Sequence, residues 1–166
     1  MSHSETVLVT GSKGLIAQSL IKKLSHSKNV IQWEENINKL YKLDKKIDTV
    51  YHLAAAIGRK NNLLKKYEMY DSNVLGTMHV INFCKNVGAN CIFTSTAGVY
   101  KPTKENTTIG ENDIVQPANN YTTSKWLAEK LIYIESIKSN VKTIIMRLFN
   151  VYSRKQGSNF YIGYLI

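Results

Sequence analysis

The sequence predicts an α/β fold, a doubly wound parallel sheet with helices on both faces. Three observations predict it. Short apolar runs such as Val7-Leu8-Val9 and Thr143-Ile144-Ile145-Met146-Arg147-Leu148 lack polar alternation and read as strands buried on both sides. Segments with helical spacing separate these runs, so successive strands lie parallel. The first strand passes through Gly11 and Gly14 straight into a helical pattern, with no hairpin turn between them.

After that first strand, Leu15, Ile16, Leu20, Ile21 and Leu24 recur at helical spacing, with Lys22 and Lys23 on the outer side. Val30 to Trp33 is a short second strand ending at Glu34, and residues 35–47 hold one helical pattern. Thr49 to Leu53 is the next strand and leads into Ala54-Ala55-Ala56, so one strand of a full nucleotide-binding half is expected to be reduced or absent. A basic loop is expected over 58–66, a long helix over 72–86, and a strand from Cys91 to Ser95. A polar loop follows from Pro102 to Pro117, then a helix over 121–138 and the strand from Thr143.

At 166 residues the chain reads as one domain, 1–152 carrying the sheet and 153–166 opening a further, truncated region rich in Phe160, Tyr161, Ile162, Leu165 and Ile166. The net charge of +10 comes from 22 Lys+Arg against 12 Asp+Glu, but the lysines are scattered and no nucleic-acid motif accompanies them. Nucleic acid is therefore not an expected partner, although a phosphate-bearing substrate would be drawn to such a surface. Cys84 and Cys91 lack metal-ligand spacing and read as reduced core residues, no metal is expected, and neither a leader nor a membrane span is legible. The expectation is a cytoplasmic protein.

A strand, a glycine turn and a helix together suit a phosphate. Gly11 permits the tight turn, Gly14 lets the backbone approach a pyrophosphate, Ala17 keeps helix and strand close, and free N–H groups at the helix start favour negative charge. An ordinary strand-loop-helix joint would explain the same glycines. Glu34, twenty residues beyond Gly14, stands where a carboxylate accepts hydrogen bonds from a ribose diol and repels a 2′-phosphate, which favours NAD over NADP. In an open parallel sheet ligands bind outside the carboxyl ends of the strands. Those ends offer Gly11 and Gly14, Glu34, Ala54 to Ala56, Ser95 and Thr96, and Phe149 and Asn150.

Tyr121 and Lys125 are four apart at the start of a predicted helix and project from one face. A phenol is a poor base near neutral pH unless a neighbouring ammonium stabilises the phenolate. Spacing alone is weak evidence, because Tyr41/Lys45 and Tyr100/Lys104 repeat it.

Six stretches in order raise the weight of that pair: Val9-Thr10-Gly11-Ser12-Lys13-Gly14-Leu15-Ile16, His52-Leu53-Ala54-Ala55, Asn73-Val74-Leu75-Gly76-Thr77, Ser95-Thr96-Ala97-Gly98-Val99-Tyr100, Tyr121-Thr122-Thr123-Ser124-Lys125 and Arg147-Leu148-Phe149-Asn150-Val151-Tyr152. In these the chain resembles the extended short-chain dehydrogenases/reductases, specifically the NAD-dependent epimerase/dehydratase enzymes of nucleotide sugars, with a Rossmann-like fold. The resemblance implies Tyr121 as catalytic base, Lys125 holding the nicotinamide ribose and keeping Tyr121 acidic, and Thr96 on the same sugar oxygen. It implies a cofactor site of Gly11, Lys13, Gly14, Leu15, Ile16, Glu34, Leu53, Ala54, Ala55, Asn73, Thr94, Tyr121, Lys125 and Phe149, with Asn150 and Thr96 toward the nucleotide-sugar substrate.

Within that family Ala97-Gly98 follow Thr96 where dehydratases carry acidic residues, so the resemblance favours a 4-epimerase, with an NDP-4-ketosugar reductase as the alternative. Family members continue well past residue 166, which leaves open a catalytically idle, truncated NAD-binding domain. A homodimer through the Tyr121 helix is also implied; Trp126 and Tyr133 suit either a subunit contact or packing within one domain.

Overall fold

The computed structural model describes residues 4–57, 63–104 and 107–153. Five strands form one parallel sheet: β1 (Thr6–Thr10), β2 (Asn29–Trp33), β3 (Thr49–His52), β4 (Asn90–Thr96) and β5 (Thr143–Leu148), in the order β2-β1-β3-β4-β5. The six-stranded dinucleotide order 3-2-1-4-5-6, with its third strand removed and the rest renumbered, gives this sequence. Between β2 and β3 the backbone makes only a 3-10 turn, Ile37–Lys42, whose Leu40 is buried. The strand expected to be missing is therefore replaced by one apolar anchor.

Register explains the two faces. Leu8, Val50 and Cys91 lie side by side and point into the main core with Val80, Ile81, Phe83, Cys84, Ala128 and Ile132 from the helices α3 (Gly76–Val87) and α4 (Asn120–Lys138). One residue on, Val9 and Tyr51 face the opposite side, where α1 (Leu15–Leu24) buries Ala17 and Ile21. Helices thus cover both faces, as the sequence predicts. Over β4 and β5 that second face stays open among the described residues, with Ile144 57% and Met146 36% exposed.

Three expectations need correction. Residues 63–66, read as loop, belong to the helix α2 (Leu63–Tyr70), while 58–62 lie outside the described residues. The basic composition reads as loop, yet on a surface helix a lysine such as Lys66 sits in water while Met69 is buried. The helix expected over 72–86 therefore starts earlier, and between α2 and α3 the chain widens into a π turn, Asp71–Leu75, closed by the Gly76 N–H donating to the Asp71 carbonyl. Such turns are rare and cluster at functional sites. The helical pattern expected over 35–47 shrinks to the 3-10 turn Ile37–Lys42, and the remaining helix and strand limits agree with the sequence to within a residue or two. No helix among the described residues is long and apolar enough to cross a membrane.

Candidate active site

The carboxyl ends of β1, β3, β4 and β5 open into a cleft of about 880 Å³. Its first wall is the glycine turn. Gly11 has φ +66°, and a Cβ there would come within 2.7 Å of the Ala54 backbone. The Gly14 N–H donates to the Gly11 carbonyl at 2.9 Å, and the Gln18 amide donates to the Ser12 carbonyl at 2.6 Å, so the turn is held from inside. No side chain caps α1, which leaves its first amides facing the cleft.

The second wall is α4. Asn119 and Thr122 form a reciprocal capping box, the Asn119 side chain accepting from the Thr122 N–H at 3.0 Å and the Thr122 hydroxyl from the Asn119 N–H at 3.2 Å. The cap fixes where the helix begins and so where Tyr121 sits. Lys125, one turn on, is 1% exposed; its ammonium lies 4.1 Å from the centre of the Phe93 ring and makes no direct hydrogen bond among the described residues. Burial pulls its pKa down to about 7, against the opposing charge of Glu129. A cation this deep, lining a cleft and lacking an acceptor, is built for a ligand that brings one.

Tyr121 departs from expectation. Burial raises its phenol above the ordinary value, so the lowering attributed to Lys125 is not found. The reason is burial, which disfavours the charged phenolate, while the Lys125 ammonium lies over the Phe93 ring.

Behind this wall β4, β5 and α4 are locked by one buried carboxylate. Glu129, 4% exposed, accepts from the Ser95 hydroxyl, from Arg147 Nε at 3.1 Å and from Arg147 Nη2 at 2.8 Å, and the guanidinium stacks 4.7 Å from the centre of the Tyr100 ring. Ser95 precedes Thr96, so the clamp anchors the end of β4 from which Thr96 lines the cleft. Glu129→Ala would leave the guanidinium without its carboxylate and is expected to destabilise the fold by about 3 kcal/mol. Thermal denaturation checks this; a melting temperature within a degree of the parent would remove the clamp from the account.

The cleft gathers most of the expected residues: Gly11, Gly14, Leu15, Ile16, Leu53, Ala55, Thr94, Thr96, Tyr121, Lys125, Phe149 and Asn150. Four stand outside its lining. Ala54 presses on Gly11 from behind, and Asn73 is buried, its side chain bonded to both backbone groups of Ala56 and to the Ser124 hydroxyl. Lys13 and Glu34 form an exposed ion pair at 3.0 Å, where the Ser12 hydroxyl donates to the Trp33 carbonyl and joins the glycine turn to the end of β2. Sequence reasoning missed Ile57, Leu148, Val151 and Tyr152 as lining, and Glu129 altogether. The one signal for Glu129 is an acid four residues beyond Lys125 on the same helix face.

The sequence model of the NAD dependent epimerase/dehydratase family matches residues 7–166. The chain belongs to this family. Among curated relatives, the dTDP-D-glucose 4,6-dehydratase of Dictyostelium discoideum is 31% identical over 197 residues, covering 92% of this chain and 45% of that protein. The UDP-glucose 4-epimerase of Azospirillum brasilense is 28% identical over 109 residues, 65% of this chain and 31% of that protein. The chain spans less than half the length of these relatives. Among solved structures, MoeE5 in complex with UDP-glucose and NAD superimposes with a TM-score of 0.84 at 26% identity, over 96% of this chain and 59% of that one.

For this epimerase/dehydratase domain the buried lysine yields a prediction of its own. Lys125→Met keeps the volume and removes a desolvated charge, so stability is expected to rise by roughly 1–3 kcal/mol while dinucleotide affinity falls. In the parent, the unfolded chain keeps a lysine proton up to about pH 10.4, whereas the folded one releases it near pH 7. Stability therefore climbs between those values, by up to about 1.4 kcal/mol per pH unit. Denaturant titrations across pH 7–10 should show that climb in the parent and a flatter profile in Lys125→Met.

Proposed function

We propose that the chain is the dinucleotide-binding and catalytic part of an NAD-dependent nucleotide-sugar 4-epimerase. The observation that carries this reading is the buried Lys125 ammonium at the floor of the cleft, without a hydrogen-bond acceptor among the described residues and one helical turn from Tyr121. Ribose hydroxyls would supply the acceptors it lacks. The backbone at Gly11 and Gly14, which no side chain obstructs, and the first amides of α1 suit a diphosphate. Glu34, already beside Lys13, would take the adenine-side ribose diol, which supports NAD over NADP. When bound, NAD supplies a hydride acceptor at the nicotinamide ring.

The chain's own groups do the rest. Tyr121 removes the proton of a sugar hydroxyl, Thr96 holds the same oxygen, Phe149 bounds the nicotinamide end, and Asn150 approaches the sugar or its diphosphate. Ala97 and Gly98 occupy the 3-10 turn after Thr96 and offer no carboxylate there, so eliminating water from the sugar lacks its acid and base. Exposed Met78, Tyr133 and Ile137 on α3 and α4 support a subunit contact on that side, and two buried free thiols, Cys84 and Cys91, suit a reducing, cytoplasmic setting.

The test is direct. The purified chain should release or absorb heat on binding NAD, and with NAD present should convert UDP-glucose to UDP-galactose or accumulate reduced nicotinamide. No binding of either oxidised or reduced dinucleotide would defeat the proposal; binding without turnover would reduce it to the cofactor site alone.

A further inference from the structure

His52 closes β3, is wholly buried, and takes no part in the chemistry proposed for the cleft. Both ring nitrogens are nevertheless engaged: Nδ1 lies 2.7 Å from the Thr10 hydroxyl and Nε2 lies 3.1 Å from the Thr77 hydroxyl. The direction of every bond in this line can be worked out. The Thr77 hydroxyl donates to the Asn73 carbonyl at 2.7 Å, so toward the ring it has only lone pairs to offer, and Nε2 must carry the proton. A neutral ring has one proton, so Nδ1 accepts from the Thr10 hydroxyl, whose own lone pair receives the Ala54 N–H at 3.2 Å. All the donors point one way, from Ala54 to Asn73.

One end of this line adjoins the glycine turn of the cleft, and the other lies behind the cleft wall, under the start of α4. Thr10 adjoins Gly11, where the diphosphate would lie. Asn73 sits in the π turn and, through Ser124, reaches the Tyr121 carbonyl, to which the Ser124 hydroxyl donates at 2.8 Å.

We propose that His52 is a positioning residue, whose fixed Nε2–H tautomer ties the phosphate-binding turn at Thr10 to Asn73 and so sets the spacing between the diphosphate and reactive ends of the cleft. Burial and the charge of Lys125 on α4 hold the ring's pKa down to about 3, so it stays neutral wherever the fold is used. Thr10, Thr77 and Phe93, its other neighbours, carry no charge. Nothing here requires the ring to exchange protons with substrate. The inference rests on dinucleotide binding in the cleft and goes beyond it.

Thr77 allows the line to be cut without touching the histidine. Thr77→Val keeps the shape and loses the hydroxyl, and Thr77→Ser restores the hydroxyl. Calorimetry on the full chain should find NAD affinity down about tenfold in Thr77→Val with ADP affinity within about twofold of the parent, because ADP uses only the diphosphate end, and Thr77→Ser should recover most of the loss. A general loosening of the core would instead weaken NAD and ADP together.

Nitrogen-15 spectra of the unaltered chain should show His52 as a neutral Nε2–H ring that does not titrate between pH 5 and 8, the range in which an ordinary histidine changes charge. An Nδ1–H ring, equal losses for both ligands, or NAD binding unchanged in Thr77→Val would each overturn the proposal. If the parent bound neither ligand, the dinucleotide reading would fall first, and His52 would keep at most a structural role.

Discussion

Gly11→Ala is expected to abolish measurable NAD binding and to lower the melting temperature at the same time. Two penalties act together. At φ +66° an L side chain is strained by about 1–2 kcal/mol. The added methyl would also stand 2.7 Å from both Cα and N of Ala54, backbone atoms whose N–H is held by the Thr10 hydroxyl and which cannot swing aside as a flexible side chain could. Either the glycine turn or the Ala54–Ala56 strip must move, and both border the cleft. A loss of affinity of roughly a hundredfold or more is expected on this geometry. The comparison substitution is Gly110→Ala, in the polar loop, where a Cβ meets nothing within 4 Å. It should leave binding and stability as they are. Equal behaviour of the two variants in calorimetry and thermal melts would refute the close-approach argument.

Tyr121→Phe is expected to cut turnover by roughly a hundred- to ten-thousandfold while NAD affinity changes only a few fold. The ring stays, Lys125 keeps its place over Phe93, and only the oxygen proposed to take the sugar proton is lost. The pH profile supplies an independent sign. Because burial raises the phenol above its ordinary pKa, the basic form is scarce near neutrality, and parent activity should climb as pH rises toward that value. In Tyr121→Phe that climb should vanish. Residual activity with the parent's pH dependence would pass the role of base to another group.

The strands and the residues at their carboxyl ends were legible because they are local. An apolar run such as Val7 to Val9 and a glycine turn announce themselves within a few residues, whereas the Tyr121–Lys125 pair gained weight only from its place among six ordered stretches. What escaped is what depends on distant parts of the chain. Glu129 drew no reading from the sequence; it becomes a clamp only because β5 brings Arg147 and β4 brings Ser95 to it. The direction of the Tyr121 shift was misjudged for a similar reason, since four-residue spacing says nothing of the burial that raises the phenol. The helix α2 was lost to its lysines, because a surface helix and a basic loop share a composition. Asn73, placed in the cofactor site by the resemblance, instead bonds Ala56 and Ser124 and holds the backbone behind the cleft lining.

The wide turn at Asp71–Leu75 has a consequence for how this region could change over time. A π turn is one residue longer than the α-helical turn it replaces. Deleting that residue would give an unbroken α-helix with better hydrogen bonds, and would swing everything on one side of the cut by about 100°. Either Asn73 would turn away from Ala56, or Val80, Ile81 and Cys84 would turn away from the sheet. Lineages descending from this chain are thus barred from a shortening that would otherwise tidy the backbone, and insertions or deletions should be tolerated in the loop of residues 107–117 long before they are tolerated here.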